Sequence, residues 1–191
     1  STRVRSSAAS DVYKRQVVTG NTVIDALQTT VKANYRFTDS GLQKALAGGK
    51  RLILVTTHRR ENLGEPMRHV YQALRKVLEN HPDVEAIFPV HKNPKVREIV
   101  NEELGKLAQV HLIEPLDYEP FANLMAKVDI VLTDSGGIQE EAPALGKPVL
   151  VLRDTTERPE AVDAGTVKLV GTAYDLSLIH ISEPTRLQLI S

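Results

Sequence analysis

The sequence contains no cysteine among its 191 residues, which excludes disulfide bonds, thiolate nucleophiles and zinc sites with cysteine ligands. It also lacks an excess of either charge, because 24 lysines and arginines balance 24 aspartates and glutamates. A neutral chain without a basic stripe is not expected to bind nucleic acid. No apolar run reaches the roughly 18 residues of a membrane-spanning helix, and no signal-peptide stretch opens the chain. We therefore expect a cytoplasmic protein with neither nucleic acid nor membrane as a partner.

The two ends of the chain do not share the periodicity of the middle. Residues 1–16 have almost no apolar repeat and are expected to be disordered or non-native. Residues 176–191 resemble read-through of a sequencing adapter, and DVYKRQ (11–16) resembles the matching artefact at the other edge. A natural tail with a short strand, LSLIHI, is the alternative. We place a single domain in residues 17–175, whose length is common for one domain.

The middle of the chain alternates short apolar runs with segments that have helical spacing. The apolar runs indicate buried strands of a parallel sheet, and they are RLILVTT (51–57), VEAIFPV (84–90), VHLIEP (110–115), VDIVLT (128–133), PVLVL (148–152) and TVKLVG (166–171). The segments with one apolar face indicate helices, and they are Thr22 to Tyr35, Met67 to Asn80, Pro94 to Lys106 and Pro120 to Lys127. This order predicts an α/β fold with a doubly wound, Rossmann-like parallel sheet. For the helix before the first strand, a connector from a preceding domain is one interpretation.

The residues that follow the first strand are candidates for binding a ligand, because open α/β sheets bind ligands beyond the carboxyl ends of their strands. There, His58 leads into Arg59, Arg60 and Glu61. Arginine supplies paired donors to an anion, and histidine supplies a donor or a proton carrier. The alternative is a solvated loop in which Arg60 and Glu61 pair locally. This motif alone leaves both interpretations open.

The turn after the fourth strand, LTDSGGIQEEAPALGKP, is a second candidate. We expect Asp134 and Ser135 to cap a helix, with Gly136 and Gly137 leaving its first amides accessible to phosphate oxygens. Glu141 lies about one and a half turns further along, within reach of ribose hydroxyls. Taken alone the pattern is weak, since a capped turn with glycines is common in proteins that bind nothing there.

Two further positions follow strands. Arg158 belongs to the cluster RDTTERPE, where Pro159 suits the first turn of a helix and would leave Arg158 facing the same crevice. Its alternative is a surface ion pair with Glu157. His91 also follows a strand, although a lone histidine there is more often a hydrogen-bonded structural residue. No pair of histidines has metal-ligand spacing with a supporting carboxylate, so the sequence predicts no metal, and no Walker or Gly-x-Gly-x-x-Gly motif is present.

Four motifs together resemble the C-terminal half of the bacterial non-hydrolysing UDP-N-acetylglucosamine 2-epimerases. They are HRRENLG, FPVHKNP, LTDSGGIQEEAPALGKPVLVLRDTTERPEA and GTVKLVGT. The resemblance implies the second of two Rossmann-like domains in a glycosyltransferase-B architecture, with the active site in the cleft between them. It implies interconversion of UDP-N-acetylglucosamine and UDP-N-acetylmannosamine by elimination of UDP to give 2-acetamidoglucal and re-addition of UDP. No cofactor is implied, and the carboxylates that handle the C2 proton would belong to the missing N-terminal domain.

The resemblance also implies roles for individual residues. Those that would bind the UDP-sugar substrate are Phe121, Ser135, Gly136, Gly137, Glu141 and Arg158. The serine and the glycines would hold the diphosphate, the glutamate the ribose, the phenylalanine would lie by the uracil, and the arginine would contact the sugar-diphosphate end. His58 would be catalytic, by stabilising charge on UDP as it departs and returns. Arg59 and His91 match positions that contact a second, activating UDP-N-acetylglucosamine in some members.

Other functions stay open at this stage. A hydrolysing epimerase or a glycosyltransferase of the same architecture is the alternative enzyme. A UDP-binding module without catalysis is the alternative outside the enzymes. The sequence does not decide between a monomer and a homodimer.

Overall fold

Six parallel strands form one sheet in the computed structural model, which describes residues 21–156, 162, 165 and 167–172. The strands are β1 Arg51–Thr56, β2 Val84–Pro89, β3 Val110–Ile113, β4 Ile130–Thr133, β5 Val149–Val151 and β6 Val167–Leu169. Each strand lies within the apolar run that predicts it, so all six predicted strands are confirmed. The expectations for residues 1–16, for residues 176–191 and for a helix beginning at Pro159 concern residues outside those described.

Helices precede the sheet and connect its strands. They are α1 Thr22–Thr30, α2 Ser40–Ala47, α3 Glu65–Asn80, α4 Pro94–Leu104, α5 Tyr118–Lys127 and α6 Ile138–Ala144, with a short 3-10 helix at Arg60–Asn62. Helix α3 is the longest of these, and it begins after Gly64, whose φ of +95° is accessible to glycine. Helix α2 is not among the predicted elements. Its two buried side chains are too few for an apolar period to be recognised, and Asp39 caps it by accepting from the amide of Leu42 at 2.8 Å.

The helices cover both faces of the sheet, as a doubly wound fold requires. Ile53 and Val55 of β1 belong to a buried cluster with α3 and α4, whereas Leu52 and Leu54 belong to a second cluster with the other four helices. This division follows from the alternation of side chains along a strand. Both clusters are apolar because a parallel sheet is buried on both faces. The predicted fold class is therefore confirmed.

Helix α1 packs against α5 and α6 of the same domain. Leu27 is its fully buried residue. The buried side chain of Asn123 on α5 accepts from the amide of Lys32 at 2.8 Å and donates to the carbonyl of Thr30 at 3.1 Å. The helix that precedes the first strand is thus attached to this domain by both apolar burial and hydrogen bonds.

The strand order determines where a ligand site is expected. The order is β3-β2-β1-β4-β5-β6, and its direction reverses between β1 and β4. In such sheets the connections leave opposite faces on either side of the reversal, which opens a crevice at the carboxyl ends. Thr56 of β1 lies opposite Thr133 of β4 at those ends. In the described part of the chain, no helix is both long and apolar enough to cross a lipid bilayer.

Candidate functional site

A buried carboxylate joins the two loops that meet at the reversal of strand order. Asp134, directly after β4, is fully buried. Its Oδ2 accepts from the amide of His58 at 3.0 Å and from the amide of Arg59 at 2.9 Å, and its Oδ1 lies 3.2 Å from Nδ1 of the His58 ring. The loop after β1 therefore closes around this carboxylate. His58 and Asp134, which directly precedes Ser135, thus lie at the same edge of the sheet, as residues after parallel strands should.

The predicted capping of the next helix by Asp134 and Ser135 is wrong. Helix α6 begins with Gly137 at its N-cap and has no side-chain cap hydrogen bond. The Asp134 carboxylate turns to the loop after β1 instead, because that loop offers it two amides and a ring nitrogen. The amide of Ser135 donates to Oγ1 of Thr133 at 3.0 Å. Gly136 and Gly137 thus lead into α6 without a side-chain cap hydrogen bond.

The contact between His58 and Asp134 favours the ionised form of both groups. The hydrogen bond from His58 to Asp134 raises the pKa of the imidazole above its usual value, against partial burial and the positive charge of Arg59. Burial acts to raise the pKa of Asp134, but the donors from His58 and Arg59 outweigh it, so the pKa of Asp134 lies below its usual value. His58 remains 49% exposed. The site therefore holds a half-exposed imidazole, biased towards its cationic form, above a buried anion.

A small cavity of about 200 Å³ lies beside this pair. The residues that line it are Thr56, Thr57, His58, Pro89, His91, Pro115, Leu116, Phe121 and Ile138. Phe121 is partly buried and packs on the side of the sheet that carries α5 and α6. The cavity brings together three of the residues singled out from the sequence, namely His58, His91 and Phe121. Its mixture of flat apolar surface and a few polar groups suits a ring such as a nucleobase.

His91 combines both interpretations made for it. Its Nδ1 accepts from the amide of Asn93 at 3.1 Å, which is the structural role expected of a lone histidine. Its ring is also stacked with the ring of His58, with centroids 6.4 Å apart and an angle of 26° between the planes. His91 is therefore anchored by one nitrogen while it borders the same cavity as His58.

The arginines of the loop after β1 are partly engaged in ion pairs. Glu61 lies 3.4 Å from Nη1 of Arg59 and 3.7 Å from Nε of Arg153. The alternative drawn from the sequence paired Glu61 with Arg60, whereas its observed partners in the described part of the chain are Arg59 and Arg153. The pairing with Arg153 is not visible in the sequence, because Arg153 follows β5 and is brought close to the loop after β1 by the packing of the sheet. Local pairing in this loop is thus real, but its partners are different.

Glu141 lies close to the glycines of the loop after β4. A Cβ atom added to Gly137 would be 3.4 Å from Oε1 of Glu141, so the carboxylate lies at van der Waals distance from that position. Burial, together with the neighbouring charge of Glu140, raises the pKa of Glu141 above its usual value. The carboxylate and the start of α6 therefore form one polar corner. Arg158 lies outside the described residues, and within those described no three His, Asp or Glu side chains gather as metal ligands.

Several polar residues support the site without having been indicated as such by the sequence. Oγ1 of Thr57 and the hydroxyl of the fully buried Tyr71 are 2.6 Å apart, and Oγ1 of Thr56 is 2.6 Å from Oγ1 of Thr133. Asn62 donates to the carbonyl of Leu152 at 3.3 Å. Tyr71 lies at helical spacing among the apolar residues of α3, which is the one signal that it faces the core.

The sheet order and the polar loops at its point of reversal define a Rossmann-like α/β domain with a candidate site at the carboxyl ends of the strands. The chain belongs to the UDP-N-acetylglucosamine 2-epimerase family, because the model of that family matches residues 9–184. The family resemblance drawn from the sequence motifs is therefore confirmed.

Relatives with known names support this membership. A probable UDP-N-acetylglucosamine 2-epimerase from Ralstonia solanacearum is 57% identical over 166 residues, which are 83% of this chain and 44% of the relative. The UDP-N-acetylglucosamine 2-epimerase of Bacillus subtilis is 53% identical over 171 residues, which are 87% of this chain and 44% of the relative. The chain thus spans less than half the length of these relatives.

Solved structures show the same fold. The S. aureus MnaA-UDP co-structure is similar with a TM-score of 0.84 and 47% identity, over 90% of this chain and 47% of that chain. The UDP-GlcNAc 2-epimerase of Neisseria meningitidis, bound to UDP-GlcNAc, is similar with a TM-score of 0.78 and 44% identity, over 91% of this chain and 49% of that chain. Both of those proteins hold a uridine nucleotide.

Proposed function

We propose that residues 17–175 form the C-terminal, UDP-binding domain of an enzyme that interconverts UDP-N-acetylglucosamine and UDP-N-acetylmannosamine. The observation that carries this proposal is the contact of His58 with buried Asp134, directly beside the loop Ser135-Gly136-Gly137. A cationic imidazole and a glycine loop at one edge of the sheet suit a diphosphate. The chain's membership of the family, and the UDP and UDP-GlcNAc held by two solved relatives, support the same ligand.

The parts of the ligand correspond to different corners of the site. We assign the diphosphate to Ser135 and the two glycines, and the ribose to Glu141, whose carboxylate lies near Gly137. The uracil is assigned to the cavity beside Phe121, whose apolar lining residues suit a ring. Arg158 is assigned to the sugar-diphosphate end by the family motif.

The reaction assigned to the whole enzyme separates charge at the anomeric carbon. A base removes the C2 proton, the bond from C1 to the diphosphate oxygen breaks, and the electron pair leaves with UDP. A preorganised cation beside the leaving oxygen stabilises this charge. His58 fits that role because its ring is half exposed and Asp134 favours its ionised form. The base would come from the N-terminal domain, which would also exclude water from the cleft.

Regulation by a second nucleotide sugar is part of the proposal. Arg59 and His91 are the positions that the family resemblance connects with an activating UDP-N-acetylglucosamine. Both lie next to His58, Arg59 by sequence and His91 by ring stacking, so an activator there would touch the neighbours of the proposed catalytic residue. A homodimer remains a proposal that oligomeric-state measurements of the whole enzyme would test.

Calorimetric titration of the chain with UDP and UMP tests the proposal. We expect UDP to bind weakly, because the other half of the cleft is absent, and to bind more tightly than UMP, which lacks the second phosphate. Glu141→Ala should weaken binding of UDP by about tenfold through loss of a charged ribose acceptor.

Glu140→Ala is the matched control for this titration. It removes the same negative charge from the adjacent position of α6. Any increase in affinity that comes only from weaker repulsion of the anionic ligand therefore appears in both variants. Equal affinities of the two variants would contradict the ribose assignment. Failure of UDP to bind any better than UMP would contradict the diphosphate assignment.

A further inference from the structure

We infer that Asp134 is the positioning residue for His58, which it holds by Nδ1 so that Nε2 is the ring nitrogen presented to the leaving diphosphate. This role belongs to the same site and rests on the proposed function for the identity of the leaving group. It is assigned to a residue that the sequence had placed at a helix cap. Its support comes from three features of the described residues: the hydrogen bonds of the carboxylate, its burial, and its place in the sheet.

The contact between the ring and Asp134 indicates which nitrogen of His58 carries a proton. Oδ1 of Asp134 lies 3.2 Å from Nδ1 of the ring, and an ionised carboxylate only accepts. We infer that Nδ1 is the donor in this contact. In the neutral imidazole this leaves Nε2 as the free acceptor, and in the cation Nε2 becomes a second donor. Nδ1 is the ring nitrogen that contacts Asp134, and the ring borders the cavity, so Nε2 is the nitrogen left for a ligand.

Burial makes this contact stronger than a surface ion pair. The side chain of Asp134 is fully buried, and three further donors surround it: the amides of His58 and Arg59, and the side chain of Asn62 at 3.4 Å. A buried carboxylate held by several donors has few alternative orientations. The position of the imidazole is thus tied to a group that cannot turn towards solvent.

The place of Asp134 in the sheet connects the two halves of the site. It directly precedes Ser135 and follows β4, while its partners follow β1, and these two strands flank the reversal of strand order. The loop assigned to the diphosphate and the histidine assigned to the leaving oxygen are therefore held by one residue. A shift of one loop would move the other.

The charged and titratable groups around His58 have opposite effects on the pKa of its ring. Asp134 is the anion that faces the ring from β4. Arg59 opposes protonation of His58 with its own positive charge, and the ring of His91 stacks on His58 from the loop after β2. Tyr71 lies near Asp134 from α3, and burial raises the pKa of its phenol, so it stays neutral. The balance leaves the pKa of His58 above its usual value.

Ring nitrogen NMR of the whole chain tests the inference without substrate. Two-bond 1H–15N spectra of the 15N-histidine-labelled chain report the protonated nitrogen and the pKa of each ring. His58→Gln identifies the signals of His58 by their disappearance. We expect the neutral form of His58 to carry its proton on Nδ1, and its pKa to lie above about 6.5. In Asp134→Asn the pKa should fall towards that value.

Asp129→Asn is the matched control variant. Its carboxylate also links β4 to β1, by accepting from the amide of Leu52 at 2.7 Å, but at the opposite ends of the strands and far from any histidine contact described above. It should leave the titration of His58 unchanged. A similar fall of the pKa in both variants would mean that general loosening of the strand pair is the cause, and would overturn the inference.

The tautomer of the unmodified chain decides the question even where Asp134→Asn does not fold. A proton on Nε2 in the neutral form, or a pKa of His58 that Asp134→Asn leaves unchanged, would overturn the inference. A purely structural role for Asp134 would move neither quantity. Titration with UDP is a separate measurement: a chain that shows the Nδ1-protonated ring but binds no UDP would refute the proposed function and leave the positioning role intact.

Discussion

Individual polar residues at the site differ in how far they are removed from water. Asp134 is fully buried and fully hydrogen-bonded, whereas His58 is half exposed. Beneath them, the buried pair of Thr57 and Tyr71 shares a hydrogen bond of 2.6 Å. Buried polar groups that are satisfied in this way restrict the conformations of the loop that they hold. His58, the exposed partner of Asp134, is then accessible to a ligand while the buried Asp134 stays in place.

The ionisation of His58 should appear in the pH dependence of stability. Its folded pKa is raised above the unfolded value, so its contribution is complete below about 6.5 and is lost as the pH rises through the folded pKa. We expect His58→Gln to destabilise the chain more at pH 5.5 than at pH 9. Because half of the ring is in water, the difference should not exceed about 1 kcal/mol. Urea denaturation at both pH values measures it.

His69→Gln is the control for replacing a histidine. The side chain of His69 is 46% exposed, against 49% for His58, but its nearest carboxylate, on Glu65, is 3.9 Å away and 77% exposed. Its effect on stability should vary less with pH. A loss for His58→Gln that is constant, or that grows towards alkaline pH, would show that the contact with Asp134 does not stabilise the cationic ring.

Helices α1 and α2 extend the domain before its first strand. Helix α1 depends on Leu27 for apolar burial and on Asn123 for its link to α5. Asn123 also donates to the carbonyl of Glu119 within α5, at 2.9 Å, so its amide group satisfies backbone groups of two elements. Lys32, two residues after the end of α1, forms an exposed ion pair with Glu119 of α5 at 2.6 Å.

Asn123→Ala should loosen α1 more than loss of that ion pair does. It would leave the amide of Lys32 and the carbonyl of Thr30 without the partner that they now have, at a cost of about 1–3 kcal/mol. Lys32→Ala, which removes the exposed ion pair and keeps the backbone amide, should have a much smaller effect. Urea denaturation and hydrogen exchange of the residue 32 amide measure both. Equal losses would place the attachment of α1 in the ion pair.

At the scale of the whole molecule, the described residues form one α/β unit whose candidate site lies at the carboxyl edge of its sheet. The carboxyl ends of β1 and β4 carry His58 and Asp134, and the cavity of about 200 Å³ lies beside them. A cavity of this size holds part of a nucleotide sugar and not the whole of it. The relatives are more than twice as long as the aligned segment, which agrees with a site completed by a second domain.

Turnover should therefore require the rest of the enzyme. We expect the chain alone to produce no detectable UDP-N-acetylmannosamine from UDP-N-acetylglucosamine, because we propose that the base for the C2 proton belongs to another domain. Joined to the N-terminal domain of the Bacillus subtilis relative, it should epimerise the substrate, and His58→Gln should lower kcat by about 10²-fold or more. Proton NMR of the sugar nucleotides identifies the product.

The product also separates this reaction from its alternatives. Free N-acetylmannosamine would indicate a hydrolysing enzyme, and a transferred sugar would indicate a glycosyltransferase. Epimerisation by the chain alone would contradict the assignment of the base to the other domain. A joined protein that binds UDP but forms no product would favour a binding module.

The sequence by itself determined the six strands, the doubly wound class, helix α3 and the family, because apolar periods and contiguous motifs are local properties of a chain. It also indicated His58 and His91, since polar residues directly after strands can be recognised without coordinates, whereas Phe121 was indicated only by the family resemblance. The sequence did not predict helix α2, because eight residues with two buried side chains show no clear apolar period. Only the tertiary structure decided the role of Asp134. Its partner His58 is 76 residues away, and the parallel register of β1 and β4 brings the two together, whereas the local pattern favoured a helix cap.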